Sequence, residues 1–277
     1  MTGPKKIAPR FPTDDGQMFL PFWSEQNRGI PWAAIRSALF APVRPGTRKS
    51  LTRETLASLE SFKVVYTGFQ LDQADLDVFA QVMHEARQQP LGQVVEFRTR
   101  DMLRNLGRST GKSDREWLLA SLSRLQACAI EFQGPPKDGQ RVIYSGSLLM
   151  EQGRIEAING TQGTHYVKLN PKLRDLYAPG WSSVGWEARK SLGKNQLAKW
   201  LHSFCYEQQR PLTFKIEKLM AMSNSNYARE RDFRNALDDA ALALRPLGIT
   251  VRLDWDVRAG NVTLSASKTA AVAPQRG

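Results

Sequence analysis

The chain has 277 residues, with 39 lysines and arginines against 27 aspartates and glutamates, so its formal net charge is +12. This length suits one large domain or two small ones, and the charge favours a polyanionic partner such as DNA, RNA or an anionic membrane. No apolar run approaches the length of about 18 residues that a membrane-spanning helix needs, and the cysteines and histidines lack zinc-site spacing.

Residues 1–55 are predicted to form a flexible N-terminal tail. The segment opens with MTGPKKIAPRFP, in which basic residues are not followed by the apolar stretch of a secretory signal. Further on, RPGTRKSL around Arg48 and Lys49 is typical of a basic, solvated linker.

Two later stretches follow the same plan. Phe79 and Met83 in the first align with Trp200 and Phe204 in the second, and each pair falls on one face of a predicted helix. A proline follows each helix, and then come a short β-type run, VVEF or LTF, and a second short helix, TRDMLRNL or KIEKLMAM. The similarity predicts an internal repeat of one structural unit.

Each copy continues with a polar turn and a third amphipathic helix, DREWLLASLSRLQACAI or ERDFRNALDDAALAL. Strand-like pairs follow, AIEFQ to RVIYSGSLLM and GITVRLDWDV to NVTLSAS, and residues 151–181 are expected to extend the first wing. Helix, strand, helix, turn, helix and hairpin form the order of a winged helix. We predict an α+β protein with tandem winged-helix domains at 56–180 and 186–267 and a disordered C-terminal tail at 268–277.

The segment GRSTGKS resembles a phosphate-binding P-loop, but its spacing is wrong. Counting back from Gly111, the first glycine of that motif would stand at position 106, which is Leu106. A P-loop also follows a strand, whereas a predicted helix precedes this segment. Gly107 is therefore predicted to end that helix, and Ser113 with Glu116 to form the capping box of the next one.

The acidic run Asp72, Asp75 and Asp77 opens the first predicted helix. Such a run could bind the metal of a metal-dependent nuclease. However, acidic side chains are stabilised by the dipole at a helix start, and the glycine and terminal glutamate of a calcium loop are missing. A nicking initiator would need a His-x-His pair, and none occurs. We therefore expect no catalytic site, no metal and no cofactor.

The second predicted domain carries a cationic and amide-rich surface opposite its apolar helix face. A recognition helix enters the major groove with its first residues near base edges, where Arg pairs with guanine and Asn with adenine. Cations at a helix start oppose the dipole, so their abundance there favours DNA over a merely solvated face. We predict DNA contacts at Asn224, Asn226, Tyr227, Arg229, Arg231, Arg234 and Asn235, and in the wing turn at Arg258.

The first domain offers a parallel set of side chains around its own turn and third helix. Lysines and arginines that meet phosphates there would position the protein on the duplex rather than specify a sequence. Trp117 in the same helix is expected to be a packing residue. The predicted contacts are Arg108, Lys112, Ser113, Arg115, Ser121 and Arg124.

The chain resembles the TrfA family of iteron-binding plasmid replication initiators. The resemblance is carried by RSALF, VYTGFQL, DLDVF, PLGQVVEF and LSRLQACAIEF, with a weaker continuation in PLTFKIEKLMAMSNS. It implies tandem winged helices, binding to iterons in double-stranded origin DNA, origin melting and recruitment of the host replicative helicase. It also implies a monomer–dimer equilibrium and a place in the bacterial cytoplasm.

The resemblance further implies a peptide upstream of RSALF that docks on the bacterial sliding clamp. In QMFLPFW, Gln17, Leu20 and Phe22 match such a motif, although Pro21 and the residues after Gln17 depart from it. An extended peptide can place a polar anchor and two apolar side chains into a preformed groove. The alternative is that these apolar residues fold back onto the first domain.

One further function shares all of these DNA-binding features. A winged-helix transcriptional repressor would need the same charge and the same helices, so the residues alone leave it open.

Overall fold

The computed structural model describes residues 19–43, 46–59, 62–137, 140–155, 164–207, 210–223 and 227–268. Its helices are α1 (Trp32–Ile35), α2 (Gln73–Ala86), α3 (Thr99–Asn105), α4 (Lys112–Ala127), α5 (Arg174–Tyr177), α6 (Trp186–Ser191), α7 (Gln196–Glu207), α8 (Ile216–Met222) and α9 (Glu230–Leu244). The predicted mixture of helices and strands is confirmed.

The strands are β1 (Asn27–Pro31), β2 (Phe40–Ala41), β3 (Ser50–Leu56), β4 (Lys63–Phe69), β5 (Leu71–Asp72), β6 (Val94–Arg98), β7 (Ala129–Lys137), β8 (Gln140–Gly146), β9 (Glu151–Ile155), β10 (Thr164–Lys168), β11 (Trp181–Gly185), β12 (Leu212–Lys215), β13 (Ile249–Asp256) and β14 (Asn261–Lys268). Within the described residues they form five small sheets. The strand orders are β1-β11, β6-β10-β9, β12-β14-β13, β2-β5 and β3-β4-β7-β8.

The second copy of the repeat, here called the second module, spans α7 to β14 in the predicted order. Its buried side chains on α9 recur every three or four residues, so one helical face packs against α7 and β13. The hairpin β13–β14 runs antiparallel from Ile249↔Lys268 to Asp256↔Asn261, and β12 adds to β14. Of the predicted C-terminal tail, Lys268 ends β14, and residues 269–277 lie outside the described residues.

The first copy, here called the first module, has α2, β6, α3 and α4 in the predicted order. The predicted hairpin forms, since β7 pairs antiparallel with β8, but it does not lie beside β6 as a wing would. Strand β6 pairs with β10, which pairs with β9. The predicted hairpin, β7–β8, instead extends β4 in the four-stranded sheet. Alternating burial, as at Ile130 and Phe132, predicts a strand but not its partner, and the buried Val64 and Tyr66 of β4 supply the matching face.

The prediction of a flexible tail is wrong for the described residues before 56, because residues 19–43 are mostly buried and Ser50–Leu56 form strand β3. Strand β1 pairs with β11, β2 with β5, and β3 with β4. The indole of Trp23 stacks on Tyr177 at 6.2 Å and lies against the backbone of β1. A Cβ on Gly29 would approach that indole to 2.3 Å, so only glycine allows this contact. Residues 1–18 lie outside the described residues.

The segment before β1 is also held to α2 by polar contacts. Trp23 Nε1 donates a hydrogen bond to His84 Nδ1 at 3.0 Å, and the other ring nitrogen of His84, Nε2, donates to Glu25 Oε2 at 3.2 Å. Glu25 also forms an ion pair with Arg87. Burial, together with the charges of Arg28 and Arg87, lowers the pKa of His84 to about 4. These contacts fix the segment along α2.

The acidic run forms structural ion pairs. Asp72 caps α2 in a reciprocal capping box with Asp75, as its place at a helix start predicted. Arg48 bonds to both carboxylates, at 2.5 Å to Asp72 and 2.8 Å to Asp75, so the predicted solvated linker is tied to α2. The described residues bring together no group of His, Cys, Asp or Glu side chains suited to a metal.

Asp77 lies at the centre of the contact between the two modules. Arg189 of α6, fully buried, donates from Nε to Asp77 Oδ1 at 2.6 Å. Lys199 of α7 lies 2.6 Å from Asp77 Oδ2, and Arg189 also donates to Ser203 and Gln73. Within the described ranges, no helix is long and apolar enough to cross a membrane.

Candidate nucleic-acid interface

Helix α9 begins with a cluster of exposed polar side chains. Arg229 is the N-terminal cap residue, and Arg231 and Asn235 are exposed on the helix that follows. Phe233 and Leu237 are fully buried on the other face, as the sequence predicted. This polarity arises because the helix packs its apolar stripe inward and leaves the cations in solvent.

Two more predicted contacts in this region are partly engaged by neighbours. Arg234 is half-buried, with Nε 3.4 Å from Glu230 Oε1 and its guanidinium carbon 6.0 Å from the ring of Trp255. Tyr227 packs its ring 5.9 Å from that of Phe233. Asn224 and Asn226 lie outside the described residues.

The turn between β13 and β14 exposes Arg258. Gly260, with φ +66°, closes this turn, and Lys215 at the end of β12 donates to the Ala259 carbonyl at 3.1 Å. Lys215 therefore adds a cation beside Arg258. The sequence did not mark it, because its partner lies 44 residues away in the chain.

The start of α4 is the matching surface of the first module. Lys112, Ser113 and Arg115 are all exposed there. Arg108, in the preceding turn, is half-buried: its guanidinium lies 3.3 Å from the ring centroid of Trp117 and 2.9 Å from Asp114. Packing thus orients Arg108 and leaves the others in solvent.

Ser121 and Arg124 do not belong to this surface. Ser121 is fully buried and donates from Oγ to Asp75 Oδ1 at 2.6 Å, and Arg124 bonds to the same carboxylate at 2.7 Å. Both side chains lie on the side of α4 that packs against α2, so Ser121 cannot reach DNA as folded. The guanidinium of Arg124 is only partly buried, and a DNA contact there stays a prediction. Ser121 falls between the core positions Leu118 and Leu125, a signal that the sequence already contained.

The turn from α3 into α4 is not a P-loop. It follows α3, and Gly107, with φ +70°, closes that helix through bonds from its own N–H and that of Arg108. The predicted helix end at Gly107 is confirmed. The predicted capping box is wrong, because α4 already starts at Lys112 and Ser109 Oγ donates to Asp114 at 2.5 Å.

The two described residues of the predicted clamp-binding motif differ in how exposed they are. Leu20 is 5% exposed and belongs to the core, whereas Phe22 is 76% exposed. Gln17 lies outside the described residues. Leu20 is therefore not presented on a free tail, and the alternative of folding back onto the first domain holds for this side chain.

These surfaces are suited to binding anions. Guanidinium groups pair with phosphate and with guanine edges, and lysines supply point charges for phosphate. The chain has 39 basic and 27 acidic residues, and this net positive charge adds a long-range attraction for a polyanion.

Comparisons with known proteins bear on the same ranges. A family model described as "TrfA protein" matches residues 16–257. The plasmid replication initiator protein TrfA of Escherichia coli is 26% identical over an alignment of 237 residues, and the match covers 82% of this chain and 59% of that protein. The chain thus spans about three fifths of the length of this relative.

Solved structures show a similar fold at low identity. A crystal structure of domains 2 and 3 of RctB superposes with a TM-score of 0.53 at 12% identity and covers 86% of this chain and 98% of that chain. A second structure of RctB domains 2–3 gives a TM-score of 0.49 at 14% identity over 84% of this chain. Since the family model covers most of the sequence, the chain belongs to the TrfA family.

Proposed function

We propose that this protein is a plasmid replication initiator that binds iterons in double-stranded origin DNA through two winged-helix modules, in the bacterial cytoplasm. The observation that carries the proposal is the pair of exposed arginines at the start of α9, Arg229 and Arg231, on a helix whose other face is core. Membership of the TrfA family supports the replication role.

The geometry of each module supports duplex DNA as the ligand. Helices α4 and α9 would enter successive major grooves with their first turns, placing Arg115 and Arg231 near base edges. The β13–β14 turn would act as a wing that sets Arg258 against a phosphate or the minor groove. Lys112 suits a backbone phosphate, since it is a point charge on a flexible stem.

The test is binding of the full chain to duplex DNA, followed by footprinting on its source replicon. We expect protection of repeated sites, and log K falling with log salt at a slope of about −0.9 for each phosphate contacted. A protein that ignores duplex DNA at low ionic strength would overturn the proposal.

A transcriptional repressor is the second candidate, since the same surfaces would serve it. Replication in a host of an origin plasmid that depends on this protein separates the two functions. An initiator supports replication, whereas a pure repressor binds its site without doing so.

An enzyme is disfavoured by the residues. The turn before α4 departs from the P-loop pattern in spacing and context, and the acidic run is engaged in ion pairs. Incubating supercoiled origin DNA with the protein and magnesium or manganese should leave it uncut, and release of phosphate from ATP should stay at background.

Origin melting, recruitment of the host helicase and sliding clamp, and a monomer–dimer equilibrium are further parts of the proposal, drawn from the family resemblance. Clamp binding requires Leu20 to leave the core, because of the two described motif residues Phe22 is exposed and Leu20 is buried. Pull-down of the clamp by a QMFLPFW peptide, with Gln17→Ala as control, tests it. If the parent peptide captures no clamp, this part of the proposal is lost.

A further inference from the structure

A cavity of about 300 Å³ lies between the α3–α4 turn of the first module and the α6–α7 turn that leads into the second. Two carboxylates, Asp77 and Asp114, take part in its wall. Four cationic side chains line it as well: Arg108, Lys190, Lys194 and Lys199.

The four cations differ in how far they are neutralised. Lys199 is buried against Asp77 at 2.6 Å, and Arg108 is paired with Asp114 at 2.9 Å. Lys190 pairs with the exposed Glu187, at 2.7 Å, and Lys194 is exposed and forms no ion pair within the described part of the chain. The positive charge available to a ligand is therefore carried by Lys190 and Lys194.

These two lysines are held close to the start of α4. Trp186 Nε1 of α6 donates to the carbonyl of Asn105 at the end of α3, at 2.8 Å. The stem of Lys190 lies along Gly107, where an added Cβ would come within 3.5 Å of Lys190 Cδ. The α6–α7 turn is thus fixed beside the turn that leads into α4.

We propose that Lys190 and Lys194 bind the sugar-phosphate backbone of the duplex that α4 contacts, a third DNA contact between the two modules. The inference rests on the proposed function. A helix that enters a major groove has a phosphate strand on each side, and the turn before that helix faces one of them. The cavity places Lys190 and Lys194 along that turn, beside Arg108 and Ser109.

Backbone contacts carry no sequence information, so their loss has a characteristic signature. Lys194→Ala should reduce the slope of log K against log salt by about 0.9, and the Lys190→Ala/Lys194→Ala double variant by about 1.8. Affinity should fall by the same factor on origin DNA and on a mixed-sequence duplex. Glu187→Gln, which removes the carboxylate beside Lys190, should tighten binding.

The measurement is fluorescence anisotropy of the full chain on a mixed-sequence duplex of about 40 base pairs over a series of salt concentrations. Lys194→Arg keeps the charge and should keep the slope. Lys63→Ala, an exposed lysine on β4, is the matched control and should behave as the parent protein.

The outcomes separate this inference from the proposed function. If the parent protein binds with a steep salt slope and the two lysine variants keep that slope, the proposed contact at Lys190 and Lys194 is wrong and the proposed function stands. If the parent protein shows no salt-dependent binding to the duplex, the proposed function itself fails. Weaker binding of Glu187→Gln also contradicts the contact at Lys190 and Lys194.

Discussion

Arg231 is an exposed cation at the start of α9, whereas Arg234 pairs with Glu230 and lies over the ring of Trp255. We expect Arg231→Ala to weaken binding to the footprinted site by about 1–3 kcal/mol if the guanidinium reads a base, and to relax the sequence preference at that position. Competition binding with single-base variants of the site measures both effects.

The matched control for Arg231 is Arg141→Ala, an exposed arginine on β8 in the four-stranded sheet. It removes the same charge away from the proposed interface and should leave affinity close to that of the parent protein. Equal affinities of the Arg231 variant and the parent protein would remove Arg231 from the interface.

Ser121 illustrates a polar residue whose role is packing. Its Oγ donates to the buried carboxylate of Asp75, which also binds Arg48 and Arg124. Ser121→Ala leaves one acceptor site of Asp75 unmet and should lower the free energy of unfolding by about 1–3 kcal/mol. Urea unfolding measures this loss, and DNA affinity at low denaturant should not change. Weakened DNA binding without loss of stability would restore the original prediction.

His202 makes stability depend on pH. Burial, with the charges of Arg189, Lys268 and Lys199, lowers its pKa from 6.5 to about 3. Below pH 6.5 the unfolded chain takes up a proton on His202 that the native state does not bind. The free energy of unfolding is therefore highest above that pH and decreases as the pH falls. The loss is about 1.4 kcal/mol for each pH unit below 6.5.

Urea unfolding between about pH 7.5 and about pH 5 tests this dependence. His84, whose pKa is also lowered, adds a loss of the same sign. His202→Gln removes the part due to His202 and leaves the other titrating groups in place, so it should have the shallower profile. Identical profiles for the parent protein and the variant would contradict the assignment.

In the segment before β1, two adjacent aromatic residues differ strongly in how exposed they are. Trp23 is 2% exposed and packs on Tyr177, whereas Phe22 is 76% exposed. Trp23→Ala should cost about 3–5 kcal/mol of unfolding free energy, and Phe22→Ala less than about 0.5 kcal/mol. Thermal or urea unfolding of the two variants measures the difference. Similar stability of both variants would mean that this segment behaves as a tail after all.

The elements also show where sequence reasoning succeeds. Helix α9 and the end of α3 at Gly107 follow from signals within one or two turns of chain, namely apolar spacing and a glycine in the left-handed region. The exposed cations at the start of α9 follow from the same periodicity. Local patterns are therefore enough to predict these helices and the side of each that faces solvent.

Contacts between distant parts of the chain could not be predicted in this way. The hairpin β7–β8 has the expected alternation, yet its partner β4 lies more than 50 residues earlier. Likewise, nothing near Trp23 in sequence indicates Tyr177 or His84 as neighbours. Pairing over such separations is decided by the complementarity of two buried faces, which a single segment does not contain.

At the scale of the whole molecule, the two modules are joined through buried charge. Asp77 on α2 binds Arg189 of α6 and Lys199 of α7, and Gln73 receives a further bond from Arg189. A buried carboxylate with two cationic partners is costly to break, at about 3–5 kcal/mol, so the modules keep one relative orientation. A rigid pair of helices α4 and α9 would accept only one spacing between the two DNA segments that they contact.

Spacing tolerance tests this rigidity on the footprinted site. Inserting about two base pairs between the contacted segments turns one groove by roughly 70° and should abolish simultaneous contact, so affinity should fall toward that of one module. Lys199→Met removes one of the two ion pairs at Asp77 but keeps the aliphatic stem, so it should weaken the contact between the two modules. The variant should then lose less affinity on the altered site than the parent protein does. Glu54→Ala, an exposed carboxylate on β3, is the control. If the parent protein binds both spacings equally well, the two modules do not act as one rigid body on DNA.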